Sequence, residues 1–84
     1  MSDPRSPIQH TVVLHRRDAA QGIARFYALM IERDLFGNVR LVRNWGRIGT
    51  KGRELAEEYP TEDDAAVALQ TMAATKRRRG YCDL

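Results

Sequence analysis

The sequence predicts an α+β domain, with a four- or five-stranded antiparallel sheet and one C-terminal helix packed on it. Segments with strand-like hydrophobic patterns occupy most of the chain before Pro60. Glycine-containing turn signals separate these segments, and one amphipathic helical pattern follows Pro60. The chain has 84 residues, which leaves room for one domain.

Two strands are predicted in the first part of the chain. From His10 to Arg17, apolar and polar residues alternate, as in a half-buried strand. The segment Ile23–Arg33 is apolar on both sides, which fits either a central strand or a buried helix. Flanking glycines, together with aromatic and β-branched residues, favour the central strand. Between these two segments, the residues from Asp18 to Gly22 are predicted to form a turn.

A hairpin is predicted after the turn signal at residues 35–38. Val39–Ile48 forms its first strand and Arg53–Tyr59 its second, because the glycine-bounded segment between them is long enough for a hairpin turn. Alternate side chains of the first strand share one face of the sheet. They are Val39, Leu41, Arg43, Trp45 and Arg47.

A single helix is predicted from Thr61, with Asp64 completing an imperfect capping box. Acidic residues fill its first turn and Lys76–Arg79 fill its last, as the helix dipole favours. Gly80 suits the left-handed position just past the helix, and Tyr81-Cys82 is a candidate fifth strand. The narrow apolar stripe of this helix consists of Ala65, Leu69, Met72, Ala73 and the stem of Lys76.

Composition limits the classes of protein to which the chain can belong. Residues 1–9 are polar and contain two prolines, so we expect a flexible tail followed by a domain at residues 10–84. No apolar run approaches the roughly 20 residues of a membrane span, so no membrane partner is expected. The single cysteine, Cys82, allows no internal disulfide framework and fits a reducing cytoplasm. One cysteine and two poorly spaced histidines predict no metal and no other cofactor.

Charge is segregated along the chain although the net charge is only +3. From Leu35 to Arg53 there are five basic residues and no acidic one. From Glu54 to Asp64 there are six acidic residues and no basic one. Lys76–Arg79 then adds four consecutive cations, more than the helix dipole needs. The alternatives for this cluster are a solvated helix end and a phosphate contact.

The segment from Asn44 to Arg53 combines a tryptophan, glycines and cations. Gly46 removes a side chain, so that a ligand can approach the backbone closely. Arg47 and its basic neighbours can neutralise phosphates. Trp45 offers a flat face to a sugar or an unstacked base. The alternative is a core tryptophan in a glycine-shaped hairpin with a solvated basic face, and the triplet Trp45-Gly46-Arg47 alone does not decide between the two.

Residues 45–52 resemble the signature of the WGR domain, a module named for that triplet. Arg25-Phe26-Tyr27 is similar to the second strand of the family, and Phe36-Gly37 precedes the signature by the usual short interval. Lys76 with Gly80-Tyr81 is similar to the closing pattern of the family. The resemblance extends over about residues 10–82 and implies a small antiparallel sheet with one helix.

The resemblance also implies a function. The module occurs in DNA-dependent poly(ADP-ribose) polymerases and in bacterial proteins, and it binds DNA near strand breaks without catalytic activity of its own. It implies that Trp45 packs on the sugar at a DNA terminus and that Arg47 contacts DNA and neighbouring domains. Because these 84 residues contain no zinc-finger or transferase pattern, Arg47 is expected to serve DNA alone or a protein partner in trans.

The sequence therefore predicts a non-enzymatic, sequence-independent DNA-binding domain, with a preference for ends, nicks or gaps. The alternative is a protein-interaction module that docks onto a DNA-repair or regulatory partner, since bipolar charge suits electrostatic docking. DNA and RNA are not distinguished, because phosphate contacts and stacking serve both. The predicted DNA-binding residues are Trp45, Gly46, Arg47, Arg43, Lys51, Arg53, Arg77 and Arg78.

Overall fold

A computed structural model describes residues 10–84 of the chain, so the expected tail at residues 1–9 lies outside the described residues. Five strands form one antiparallel sheet in the order β4-β3-β2-β1-β5, and one helix follows β4. The predicted fold class is confirmed. The elements are β1 (Thr11–Asp18), β2 (Ile23–Arg33), β3 (Val39–Arg47), β4 (Arg53–Tyr59), α1 (Glu62–Arg78) and β5 (Cys82–Asp83).

The connection from β1 to β2 is a tight turn that determines how the two strands pair. Its one 3-10 turn, Ala19–Gln21, begins where the Asp18 side chain accepts a hydrogen bond from the Ala20 amide. It ends at Gly22, whose φ of 67° lies in the left-handed region that glycine tolerates. The turn places Asp18 directly opposite Ile23 and so sets the register along both strands.

Both ends of α1 carry the predicted caps. The Thr61 hydroxyl accepts a hydrogen bond of 3.1 Å from the Asp64 amide. Acidic residues occupy the first turn and basic residues the last, where they complement the helix dipole. Gly80 follows the helix with a φ of 97° and donates its amide to the Arg77 carbonyl. A helix capped in this way keeps a defined length over the sheet.

The hydrophobic core lies between α1 and one face of the sheet, which we call the helix face. Leu14, Leu29, Leu41 and Leu69 are fully buried there. The opposite face, the open face, is covered by no other element within residues 10–84. It still carries apolar side chains, because β2 is apolar on both sides as the sequence predicts. Met30, for example, is 41% exposed.

The β3–β4 hairpin holds two backbone segments in direct contact. A Cβ atom on Gly52 would lie 2.3 Å from the carbonyl oxygen of Trp45, and one on Gly46 would lie 2.7 Å from Cα of Gly52. Both distances are far below van der Waals contact, so only glycine fits at these positions. This contact brings the backbone at Trp45 against the turn that follows it.

We expect Gly52→Ala to destabilise the fold much more than Gly49→Ala. Both glycines have positive φ, 69° and 94°, but only Gly52 has neighbours within 4 Å of the position that an added methyl group would take. Gly49→Ala should therefore cost only the left-handed strain of about 1–2 kcal/mol. Gly52→Ala adds overpacking of about 1–3 kcal/mol. Urea unfolding of both variants measures the difference, and equal losses would contradict the close contact.

Candidate nucleic-acid interface

The helix leaves one end of its own sheet face uncovered. Glu62, in its first turn, pairs with Arg33 at the far end of β2. Near its C-terminal end, the Lys76 ammonium lies 4.5 Å from the ring centroid of Tyr27. The helix therefore crosses the sheet from Arg33 to the row of Tyr27 and ends there. The next row of side chains on the helix face lies past the end of α1, and at its β1 edge a Cβ atom on Gly80 would lie 3.3 Å from Nε of Arg16.

Three arginines form this next row, which we call the arginine row. Arg16 of β1 lies directly opposite Arg25 of β2, and Arg25 lies directly opposite Arg47 of β3. Side chains opposite each other in an antiparallel pair are about 4.5–5.5 Å apart at Cβ, and like charges in such positions repel. No acidic side chain of residues 10–84 forms a salt bridge with any of the three. The row is an unneutralised strip of positive charge.

An aromatic stack borders the arginine row on the same face. Trp45 lies opposite Tyr27 in the register, and their rings are stacked with centroids 6.2 Å apart and planes at 28°. Tyr81 meets the Tyr27 ring edge-on at 6.4 Å. Tyr27 is 6% exposed, whereas Trp45 is only half-buried. Trp45 thus rests on the core through Tyr27 and still presents part of its surface outward.

Lys76 joins the aromatic stack to the basic surface. Its ammonium lies 4.5 Å from the centroid of Tyr27 and 5.4 Å from that of Tyr81, within cation–π range. Burial lowers the pKa of Lys76 below its ordinary value, and the positive charges of Arg79, Arg25 and Arg43 lower it further. Three arginines are thus close enough to act on Lys76, which shows that positive charge is concentrated around it.

A groove runs beside Trp45 between the β1–β2 turn and the β3–β4 hairpin. Its volume is about 520 Å³, which is large enough to take a nucleotide-sized group. No acidic side chain is among the described residues that line it. The groove is lined by Gln21, Gly22, Ile23, Ala24, Arg25, Trp45, Gly46, Arg47, Gly52 and Arg53.

The structure brings four of the predicted site residues together at this groove: Trp45, Gly46, Arg47 and Arg53. The hairpin itself requires glycine at position 46, because the backbone of Gly52 occupies the space that a side chain would need. Whether Gly46 also gives a ligand access to the backbone stays a prediction.

The other four predicted residues do not line the groove, although the Arg43 guanidinium lies 6.0 Å from the ring centroid of Trp45. The Arg43 guanidinium donates to Glu57 at 2.9 Å, and that of Arg77 donates to Asp83 at 2.7 Å. The bond from Arg77 holds the pKa of the Asp83 carboxyl below its usual value. Lys51 lines a depression on the open face, away from Trp45. Arg78 donates a hydrogen bond of 3.2 Å to the Thr75 hydroxyl.

Arg16 and Arg25 are the residues of this surface that sequence reasoning missed as site residues. They stand nine positions apart in the chain on two different strands. They could have been found from the predicted turn between Asp18 and Gly22 together with the alternation of side chains between the two faces of a strand. A turn of that length pairs Arg16 with Arg25 and points both toward the face of Tyr27.

Within residues 10–84 there is no group of three or more His, Cys, Asp or Glu side chains that could hold a metal ion. The same residues include no helix that is long and apolar enough to cross a membrane.

Comparisons with known proteins identify relatives of the chain. The family model for the WGR domain matches residues 10–84. A protein of Sinorhizobium fredii, named "uncharacterized protein y4dW", is 40% identical over 72 residues, which is 86% of this chain and 35% of that protein. The chain thus spans about a third of the length of that relative. No solved structure gives a significant match.

We expect Arg25→Gln to stabilise the fold at low salt, because it removes the central charge of the arginine row. The gain should be about 0.2–1 kcal/mol in the free energy of unfolding. It should vanish near 1 M salt, where the screening length falls to about 3 Å.

Arg17→Gln is the matched control, because Arg17 lies on the open face opposite the uncharged Ala24. Its substitution should change the stability by less than about 0.5 kcal/mol at any salt concentration. Urea unfolding of both variants at two salt concentrations makes the comparison. A loss of stability in Arg25→Gln at low salt would contradict mutual repulsion within the row.

Proposed function

The chain belongs to the WGR domain family, whose members are nucleic-acid-binding modules, and on this premise we propose that it binds DNA without reading its sequence and prefers ends, nicks or gaps. We propose no catalytic step for the domain. Its predicted compartment is the reducing cytoplasm, because the chain contains a single cysteine.

The observation that carries this proposal is the arginine row beside the Trp45–Tyr27 stack. Neighbouring strands lie about 4.7–4.9 Å apart, so the three guanidinium groups follow a line across the sheet. Guanidinium groups bind phosphate oxygens in bidentate fashion. A phosphate backbone laid along the row relieves the repulsion that the row creates. Arg53, which lies opposite Trp45, extends the positive surface onto β4.

Trp45 accounts for the preference for broken DNA. Its ring is supported from one side by Tyr27 and the residue is only half-buried, so it can stack on one sugar or base. Stacking of a base on an aromatic side chain is worth about 1–3 kcal/mol. Inside an intact duplex both faces of each base pair are already stacked. An end, nick or gap exposes a terminal nucleotide for Trp45.

The position of α1, the only α-helix among the described residues, supports the proposal that the domain does not read DNA sequence. α1 lies flat on the sheet and buries Ala65, Leu69 and Ala73 against it. A reading helix would have to enter the major groove with base-contacting side chains free. The candidate surface instead presents arginines to the phosphate backbone, which is the same for every sequence.

We expect Trp45→Ala to weaken binding to a nicked duplex about ten- to a hundredfold and to leave binding to an intact duplex nearly unchanged. The loss corresponds to the stacking energy of about 1–3 kcal/mol. Fluorescence anisotropy with labelled nicked, intact and single-stranded oligonucleotides measures it, and RNA versions of the same duplexes test DNA against RNA.

Leu55→Ala is the matched control, because Leu55 lies on the same face, 42% exposed, without an aromatic ring. It should bind both duplexes as the wild type does. Trp45→Phe keeps a flat ring and should retain most of the preference, which separates stacking from folding. If folded Trp45→Ala keeps the full preference for the nick, Trp45 is a core residue only. The protein-interaction alternative then takes precedence.

A further inference from the structure

The β2–β3 turn presents two large apolar side chains to solvent. Leu35 is 99% exposed and Phe36 is 89% exposed. Full burial of such a side chain is worth about 1.5–3 kcal/mol, so leaving two adjacent ones outside forgoes a large stabilisation. Scattered apolar residues are normal on a protein surface, but a contiguous exposed pair at the tip of a turn marks a contact surface.

Hydrogen bonds hold this turn, residues 34–38, in one shape. The Asp34 carboxylate accepts bonds of 2.8 Å from the Phe36 amide and 2.9 Å from the Asn38 amide. It also accepts one from the Asn38 side chain at 2.9 Å. The Asp34 amide in turn donates to the Asn38 carbonyl at 3.0 Å. A turn fixed in this way presents Leu35 and Phe36 at a low cost in conformational entropy.

The open face carries a groove of complementary character near the other end of the sheet. Its volume is about 350 Å³, within the range of pockets that bury small ligands. Apolar side chains dominate the groove, and Val13 is 39% exposed within it. Its lining consists of Val13, Leu14, His15, Arg17, Phe26, Ile48, Gly49, Thr50 and Leu84.

Charge at the two places is of opposite sign. Hydrogen bonds from Asn38 hold the pKa of the Asp34 carboxyl below its usual value, so this group beside the apolar pair is an anion. Glu58 and the acidic first turn of α1 lie at the same end of the molecule. The open-face groove is edged by the exposed Arg17 and contains no acidic residue among its described lining.

We propose that the apolar turn of one copy of this chain, Leu35 and Phe36, docks in the open-face groove of a second copy. The apolar pair fills the groove and Asp34 faces Arg17, so that hydrophobic and electrostatic complementarity act together.

The positions of the two surfaces make the contact intermolecular. Phe26 of the groove lies seven positions before Arg33, the last residue of β2, which is roughly 23 Å of extended strand at 3.3 Å per residue, and Leu35 of the turn lies beyond Arg33. One copy therefore cannot fill its own groove, and the contact joins copies head to tail. The groove lies on the opposite face of the sheet from the arginine row, so docking leaves the candidate DNA surface free.

Sedimentation of the full chain tests the proposal. The apparent mass should rise above the monomer mass of 9.6 kDa as the concentration approaches about 1 mM, because a contact of this size belongs to the weak class below about 1,200 Å². Phe36→Ser disables the turn, and Val13→Glu disables the groove. Each variant alone should stay at the monomer mass.

An equimolar mixture of the two variants provides the decisive measurement. One intact turn and one intact groove remain in it, so the mixture should form a dimer of twice the monomer mass and nothing larger. Arg17→Glu is a second groove variant that spares the core, and it should also associate with Phe36→Ser. Leu55→Ser, which removes an exposed apolar side chain from the helix face, is the control and should associate as the wild type does.

Three outcomes would overturn the proposal: a monomeric wild type at about 1 mM, a mixture that does not dimerise, or undiminished association of both groove variants. In the last case the turn docks on some other surface. DNA-binding titrations of the same variants separate this result from the proposed function, since they should bind nicked DNA like the wild type.

Discussion

The register in which β1, β2 and β3 pair is the constraint on which the candidate interface depends. It sets Arg16, Arg25 and Arg47 in one line and Tyr27 beside Trp45 in the next. Because side chains alternate across a strand, a slip of one residue would send either set to the opposite face. The tight turn ending at Gly22 and the close contact between Gly52 and the Trp45 backbone hold this register at the two hairpins.

The same register places Arg16, Arg25 and Arg47 side by side, where their positive charges repel one another and do not stabilise the isolated domain. Cross-strand arginines oppose folding slightly, and Lys76 is partly desolvated between Tyr27 and Tyr81. Some other cations of the described residues are paired with acidic side chains, as in the pairs Arg77–Asp83 and Arg43–Glu57. A bound polyanion would offset the repulsion among Arg16, Arg25 and Arg47, for which no acidic partner is found among the described residues.

The elements that the sequence predicts well are those bounded by glycine or proline. The strand bounds Ile23–Arg33 and Arg53–Tyr59 and the cap at Thr61 agree with the structure, because turn chemistry and capping are local. The side chains that surround each cation are determined by the tertiary structure, so they could not be predicted in the same way. Arg77 stands in the most basic run of the chain, yet Asp83 reaches it only because β5 folds back beside β1. Arg25 becomes a candidate site residue only because the pairing of three strands places it between Arg16 and Arg47.

The salt dependence of binding to nicked DNA tests the central claim most directly. If Arg16, Arg25, Arg47 and Arg53 each contact one phosphate, as proposed, log affinity should fall against log salt with a slope of about −3 to −4. Arg16→Gln should make that slope shallower by about 0.9, whereas Arg17→Gln, its neighbour on the open face, should leave it unchanged. Equal slopes for Arg16→Gln and the wild type would contradict a phosphate contact at the arginine row.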